Sequence, residues 1–474
     1  MNRTKLIGNM FPRGMSIRRI HTVVKGPKTV SYLDNGMRIM TYDDTRAMSA
    51  VGVFISVGIR CETDKTIGCS AIYDKFIFQS NKKINSENFA EDLSFTGNCI
   101  AVSNHRECAS YTMQCPTYYV PQATEMLAAA LTCPSFDNPK ELDYVKNTLI
   151  EQIPLRARDP TSLCFELLHQ AAFGETGLGR NAHFQARDIQ KVSAQTMADF
   201  VQSQVRPDRI AVVASGISNH AEYVKTVQKC FEFPATTKSA PLPSSTYVGG
   251  MLTRHNTDAP ESFEKFAEKE LTHMSLFYPA PTVKNKDVMV VAVIQCLLGG
   301  GQSFSSGGPG KGMLTKLYRE VVSQEGWMNS IECVTAAYTD AGLLGIYGSA
   351  PHENNEDLLR ILTYQIGTIS HRITEYHVDM AKNLLLSQMF LVNDTTMGQL
   401  EEAGRYLLLF DRVTTYDETV DLINAVTYDD VCRVSSEIIQ GKPTLAVFGN
   451  THGLSSNCGK IHNQVVKASK GKAV

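Results

Sequence analysis

The sequence predicts an α+β chain made of two homologous α/β domains joined by a linker. Three observations lead there. β-like segments open the chain and give way to a run of helical patterns closed by a strand. A Pro-rich stretch at 233–245 then interrupts the pattern, and beyond it the same order of elements recurs. The 474 residues are 43% hydrophobic and 20% charged, an ordinary globular composition. That length suits two or three domains, each large enough to bury a core.

In the first domain, residues 30–33 and 37–42 read as hairpin strands around the turn sequence Asp34-Asn35-Gly36. Residues 50–57 give a third, more buried strand. Helical periodicity follows over 69–79, 85–93, 120–132 and 140–153, where Pro154 marks an end, and then over 162–173 and 193–204. Residues 209–215 read as a closing strand. In the second domain 247–254 and 272–278 are strand-like, 287–298 is an apolar helix, more helices follow, and 444–448 echoes the closing strand at 210–213. The expected boundaries are a targeting presequence over 1–20, the first domain over 21–232, the linker over 233–245, the second domain over 246–450 and a flexible, Lys-rich tail over 451–474.

No apolar run reaches the roughly 18 residues that would span a bilayer. The 12 cysteines are never closer than seven residues, which excludes CxxC zinc ribbons and redox pairs and points to reduced, mostly buried thiols. Before Asp34 there is no acidic residue, while Arg3, Lys5, Arg13, Arg18 and Arg19 alternate with apolar side chains. This is the composition of a mitochondrial transit peptide. Removing residues 1–20 leaves 41 basic against 48 acidic residues, a net charge of about −7 that favours basic peptides over nucleic acid.

Residues 299–313 hold seven glycines in fifteen positions, in the order Gly299, Gly300, Gly301, Gln302, Ser303, Phe304, Ser305, Ser306, Gly307, Gly308, Pro309, Gly310, Lys311, Gly312 and Met313. A phosphate-binding P-loop around Lys311 needs Gly at 305 and Ser or Thr at 312, and the sequence has Ser305 and Gly312. With nucleotide binding set aside, so many glycines free the backbone for close approach to a peptide. This run, continuing into Leu314-Thr315-Lys316-Leu317-Tyr318, resembles the glycine-rich loop of processing-peptidase alpha subunits. Asp34-Asn35-Gly36-Met37-Arg38, Val57-Gly58-Ile59-Arg60, His169-Gln170-Ala171-Ala172-Phe173 and Gly177-Leu178-Gly179-Arg180 extend the likeness to the pitrilysin-like (inverzincin) group over nearly all of 29–450. The fold so implied is a duplicated pitrilysin-like one.

Catalytic members of that group carry H-x-x-E-H on a helix and a Glu about 77 residues further on. Two neutral imidazoles one turn apart hold Zn²⁺, and the Glu between them activates the metal-bound water. Counted from Gly68, the ligand positions here are Ala71 and Lys75, the base position is Asp74, and the third ligand position is Gln152 on the direct count or Glu151 with a one-residue shift. A methyl, a cation and a neutral amide do not make a zinc site. His371 and His377, the nearest alternative, would stand about 120° apart on a shared helix, too far around it to share a metal.

The resemblance therefore implies a non-catalytic subunit that does not cleave peptides alone and has no cofactor of its own. Zinc belongs in a partner, the catalytic beta subunit carrying H-x-x-E-H, and the substrates are basic mitochondrial presequences. The expected substrate-binding residues are Gly299, Gly300, Gly301, Ser303, Phe304, Ser305, Gly307, Gly308, Pro309, Gly310, Lys311 and Gly312. Two acidic groups, Glu353 with Glu356 and Asp357, and Glu401-Glu402 with Asp411, Asp417, Glu418 and Asp421, are candidates to attract such peptides or are ordinary solvated faces. The alternative is a structural core subunit of the cytochrome bc1 complex, which shares the fold, and both roles can coexist. The expected location is the mitochondrial matrix, or the matrix side of the inner membrane.

Overall fold

The computed structural model describes residues 28–43, 46–77, 79, 81, 83, 86–132, 134–156, 158–233, 239–255, 271–302, 312–410, 415–451, 454 and 457–471. The expected presequence lies outside them.

The first half begins β1 (Lys28–Tyr32), β2 (Arg38–Tyr42), β3 (Met48–Ile55), α1 (Cys69–Phe76) and α2 (Ser86–Thr96). The hairpin β4 (Cys99–Asn104) and β5 (Ala109–Pro116) comes next, then α3 (Val120–Thr132), α4 (Pro139–Arg156) and α5 (Pro160–Phe173). It ends α6 (Ala186–Lys191), α7 (Ala194–Gln204), β6 (Ile210–Ser215) and α8 (His220–Cys230). The second half runs β7 (Met251–Arg254), β8 (Leu271–Pro279), α9 (Val288–Leu298), β9 (Gly300–Gln302), β10 (Ser330–Ala337) and β11 (Gly342–Pro351). It continues through α10 (Asn355–Gly367), α11 (Glu375–Asn393), α12 (Thr396–Phe410), α13 (Tyr416–Asn424), α14 (Tyr428–Ile438), β12 (Thr444–Phe448) and α15 (Cys458–Ser469).

Each half builds a six-stranded sheet, ordered β1-β2-β6-β3-β5-β4 and β7-β12-β8-β11-β10-β9. Matching β2 to β7 makes the orders coincide over five strands, down to the parallel pairs β2–β6 and β7–β12 among antiparallel neighbours. The duplication expected from the order of elements is thus a repeat of topology, with β1 and β9 added at opposite edges.

The central strands are apolar on both faces because both are covered. Along β3, Val51, Val53 and Ile55 face the first half's own helices, whereas Ala50 and Phe54 face α12 of the second half. Sheet two repeats this with the roles exchanged. Met274, Leu276 and Tyr278 of β8 join their own half's core, and Phe277 meets Leu168, Ala172 and Phe173 of α5 from the first half. Each half therefore lends one helix to the outer face of the other's sheet. Burying a large apolar side chain stabilises by about 1.5–3 kcal/mol, and Leu400 and Leu407 of α12 are fully buried there.

Polar contacts reinforce the junction. Arg60, 2% exposed, binds Glu107 in its own half, Thr339 and Asp340 in the other, and the carbonyl of Pro243 between them. The described part of the linker is tied down, Ser239 to Asp208 and Ser245 Oγ to the Leu178 amide at 2.9 Å, and just beyond it Tyr247 bonds Thr444 at 2.6 Å. The chain end departs from the flexible tail expected. Ile461, Val465 and Ala468 form a buried stripe on α15, which packs against α10. That i, i+4, i+7 spacing outweighs the lysines around it. Ten described cysteines are free thiols, seven of them buried.

Candidate functional site

The group resembling a metal site comes from α1 and α4, which pack together. α1 starts where the buried Glu62 carboxylate accepts from the Gly68 and Ser70 amides at 3.0 and 2.9 Å, charge at the positive end of a helix. Burial pushes the Glu62 carboxyl up, and these hydrogen bonds pull it back. On the exposed side of α1, Ala71 is half-buried and Lys75 is solvated.

Asp74, at the base position, accepts from Tyr111 Oη and Asn104 Nδ2, each at 2.6 Å. Burial raises its carboxyl, while the two donors oppose that rise. Its two oxygens are fastened to β5 and β4, a structural use of the carboxylate. Gln152 is half-buried on α4. Ala71 has no donor atom, Lys75 brings a cation and Gln152 a neutral amide, so this set does not fit zinc. Among the described residues no cluster of three or more His, Cys, Asp or Glu is placed to hold a metal.

The glycine-rich run starts at the C-terminus of α9. The sequence suggests one continuous loop, but its first residues are an edge strand. Gly300, Gly301 and Gln302 pair antiparallel with Glu332, Ile331 and Ser330. Gly300 has φ +137°, and a Cβ there would lie 2.2 Å from the Ile331 carbonyl oxygen. No other residue fits. Ser303, Phe304, Ser305, Gly307, Gly308, Pro309, Gly310 and Lys311 lie outside the described residues. The chain returns at Gly312, whose carbonyl accepts from Thr315 Oγ1 at 2.7 Å, and enters a π-helical turn over Tyr318–Val322. Such turns recur at functional sites.

Between α9, this returning segment and α11 opens a cavity of about 680 Å³. Leu297, Met313, Leu314, Met380 and Leu384 line it together with Lys316, Arg319, Glu320 and Arg372. Lys316 is buried and held by Gln365, by Thr368 at 3.1 Å and by Glu320 at 3.2 Å. Burial lowers its pKa, and Glu320 counters. Of the expected binding residues, only Gly312 borders this cavity among those described. Sequence reasoning missed Arg319 and Arg372, which lie more than fifty residues apart in chain order and carry no motif.

Of the acidic candidates, Glu353, Glu356 and Asp357 are exposed at the start of α10, and Asp357 pairs with Arg360 at 2.9 Å. The second group is put to separate uses. Glu401 accepts from Ser110 Oγ at 3.0 Å, Glu418 closes the N-terminal cap of α13, and Asp411 lies outside the described residues. His169, part of the family-like segment on α5, hydrogen-bonds Tyr338 Oη of the other half at 2.7 Å, and burial pushes it down to about 3. No described helix is long and apolar enough to cross a membrane.

Comparison with known proteins fits this arrangement. Residues 38–183 match the family described as Insulinase (Peptidase family M16), and residues 191–385 match Peptidase M16 inactive domain. The mitochondrial-processing peptidase subunit alpha of Bos taurus is 26% identical over 93% of this chain and 85% of its own length. That of Caenorhabditis elegans is 27% identical over 89% and 84%, and that of Solanum tuberosum 24% over 90% and 83%. A chain of the solved structure "Complex III2 from Candida albicans, Inz-5 bound" has the same fold, with a TM-score of 0.77 at 16% identity over 92% of this chain and 99% of that one. The two family matches cover 341 of the 474 residues, and the chain belongs to peptidase family M16.

Proposed function

We propose that this chain is the non-catalytic, presequence-recognising alpha subunit of a mitochondrial processing peptidase. The observation that carries the reading is the lost metal site: Ala71 and Lys75 replace the histidines, and Asp74 is fastened to Tyr111 and Asn104. It occurs in a chain alike in sequence to processing-peptidase alpha subunits over about nine-tenths of its length. Catalysis then belongs to a beta subunit whose H-x-x-E-H helix holds zinc. This chain captures the basic presequence, with residues 303–311 contacting it as an extended strand, in the mitochondrial matrix. Residues 1–20 are its own targeting segment.

The strand pairing of Gly300–Gln302 with β10 narrows the test. Removing 299–302 would strip a sheet edge, so the informative deletion spans 303–311. With the partner present, this deletion should weaken presequence binding and slow cleavage while the heterodimer stays intact. Cleavage at the normal rate would overturn the role given to the loop.

The likeness of fold to a chain of Complex III2 favours a second reading, a core subunit of the cytochrome bc1 complex on the matrix side of the inner membrane. Tagged protein purified from gently solubilised mitochondria separates the two. A heterodimer with one H-x-x-E-H relative supports processing, and a large assembly with cytochrome b supports the core role.

A further inference from the structure

The cavity between α9 and α11 has a chemistry that a basic peptide would avoid. At about 680 Å³ it lies in the range of sites that enclose a small organic ligand. Its apolar wall is Leu297 of α9, Ile373, and the face of α11 carrying Met380, Ala381 and Leu384. Methionine and leucine there adapt to a flexible chain.

Arg319 and Arg372 also line the cavity, and both are exposed. Among the described residues, neither guanidinium takes part in an ion pair or a hydrogen bond. The Arg372 guanidinium lies over the Tyr364 ring, 5.6 Å from its centre, which leaves its donors available. The one carboxylate among the described lining residues, Glu320, is already engaged by Lys316 at 3.2 Å and by Gln365 Nε2 at 3.2 Å. His377 Nδ1 is used at the cap of α11, 3.0 Å from Thr374 Oγ1. Two guanidiniums without a partner among the described residues, beside an apolar wall whose one described carboxylate is held through Oε2 by Lys316 and Gln365, define the ligand by complementarity: an anionic head on a hydrocarbon chain.

We propose that this cavity binds a long-chain fatty acid, its carboxylate held by Arg319 and Arg372 and its acyl chain against the Met380–Leu384 face of α11. The inference does not depend on the processing-peptidase reading. A phospholipid in a membrane surface offers related chemistry, but it presents its head outward and keeps its chains in the bilayer. A single free chain can enter whole.

The test is an equilibrium titration of the full chain, alone or in its purified complex, with a fluorescent fatty acid below its micelle concentration. Saturable one-to-one binding is expected, displaced by palmitate and not by a cationic amphiphile of similar chain length. The double variant Arg319→Glu/Arg372→Glu should weaken binding about tenfold or more, and Leu384→Trp should block it by filling the wall. Both arginines are exposed, so the charge reversal should leave the thermal melting temperature in place. If Leu384→Trp unfolds, the arginine variant decides alone. The proposal is overturned by absence of saturable binding, by equal displacement with the cationic amphiphile, or by unchanged affinity in the folded double variant. Binding only to vesicles of anionic phospholipid would overturn it as well.

Discussion

The helix pair α1–α4 in the first half and the pair α9–α11 in the second occupy corresponding places in two copies of one frame. α1 follows β3 as α9 follows β8, and α4 is the second helix after β5 as α11 is the second after β11. Their contents differ. Beside the first pair, the helix sends a carboxylate to the sheet, Asp74 to Tyr111 and Asn104. Beside the second, Gln295 of α9 accepts from Thr335 of β10 at 2.7 Å, and the space next to α11 stays open as a cationic, apolar cavity. A duplicated frame fixes where a cleft lies, whereas a handful of side chains decides what it holds.

The comparison breaks most completely if the first cleft can be made to hold metal. The variant Ala71→His/Asp74→Glu/Lys75→His/Gln152→Glu supplies the family's ligands and base. Metal analysis after dialysis should find about one zinc per chain in the variant and none in the parent. A companion variant that keeps Gln152 and relies on Glu151 fixes the register: equal zinc in both would assign the third position to Glu151.

The exchanged helices offer a second contrast. The α5 interface contains two buried histidines, His169 and His273, pushed down to about 3 and about 4 by burial. The α12 interface is built from Leu400, Ala403 and Leu407. Both histidines are neutral in the fold, whereas the unfolded chain protonates them below about 6.5. Their contribution is complete above that value and is lost as the pH falls toward 4. At about 1.4 kcal/mol per unit for each group, they cost at most about 4 kcal/mol at pH 5. Urea midpoints at pH 7.5 and 5 measure the loss, and His169→Gln/His273→Gln should flatten it. A slope unchanged by that variant would place the acid sensitivity elsewhere.

The smallest contrast is between the two helix-to-sheet contacts. Asp74→Ala leaves Tyr111 Oη and an Asn104 amide without their acceptor inside the protein and should cost about 2–3 kcal/mol. Gln295→Ala frees only the half-buried Thr335 hydroxyl and should cost about 1 kcal/mol. Denaturant titration of the two variants ranks them, and equal losses would mean that the first contact is no more structural than the second.

Much of this frame is legible before any coordinates. Asp34-Asn35-Gly36 marks the first hairpin, and the apolar run at 287–298 marks α9. The strands β4, β10 and β11 are not legible. β5 does carry a strand signal, Ala109, Tyr111, Met113 and Cys115 alternating with Ser110, Thr112 and Gln114, that is absent from the expected elements, whereas Gly345 and Gly348 make β11 read as turn. Gly345 is glycine for close approach, since a Cβ there would lie 2.2 Å from the Leu276 carbonyl oxygen. The degenerate metal site is legible because it is local to one helix plus one spacing. The cavity is not, because Arg319 and Arg372 come to line one space only through the packing of α9, the segment that follows Gly312 and α11.

The exchange of α5 and α12 also sets an order of events in time. Sheet one has all its strands once Ser215 is made, but its outer face waits for α12, which starts at Thr396. At about 5–20 residues per second that gap lasts roughly 10–40 s of synthesis. Through that interval Met40, Ala50, Phe54 and Val213 have no cover from their own half. Any N-terminus-first journey of the chain, through a ribosome or across a membrane, repeats the wait. A nascent or incoming chain of this design carries that apolar face uncovered until its last sixth arrives.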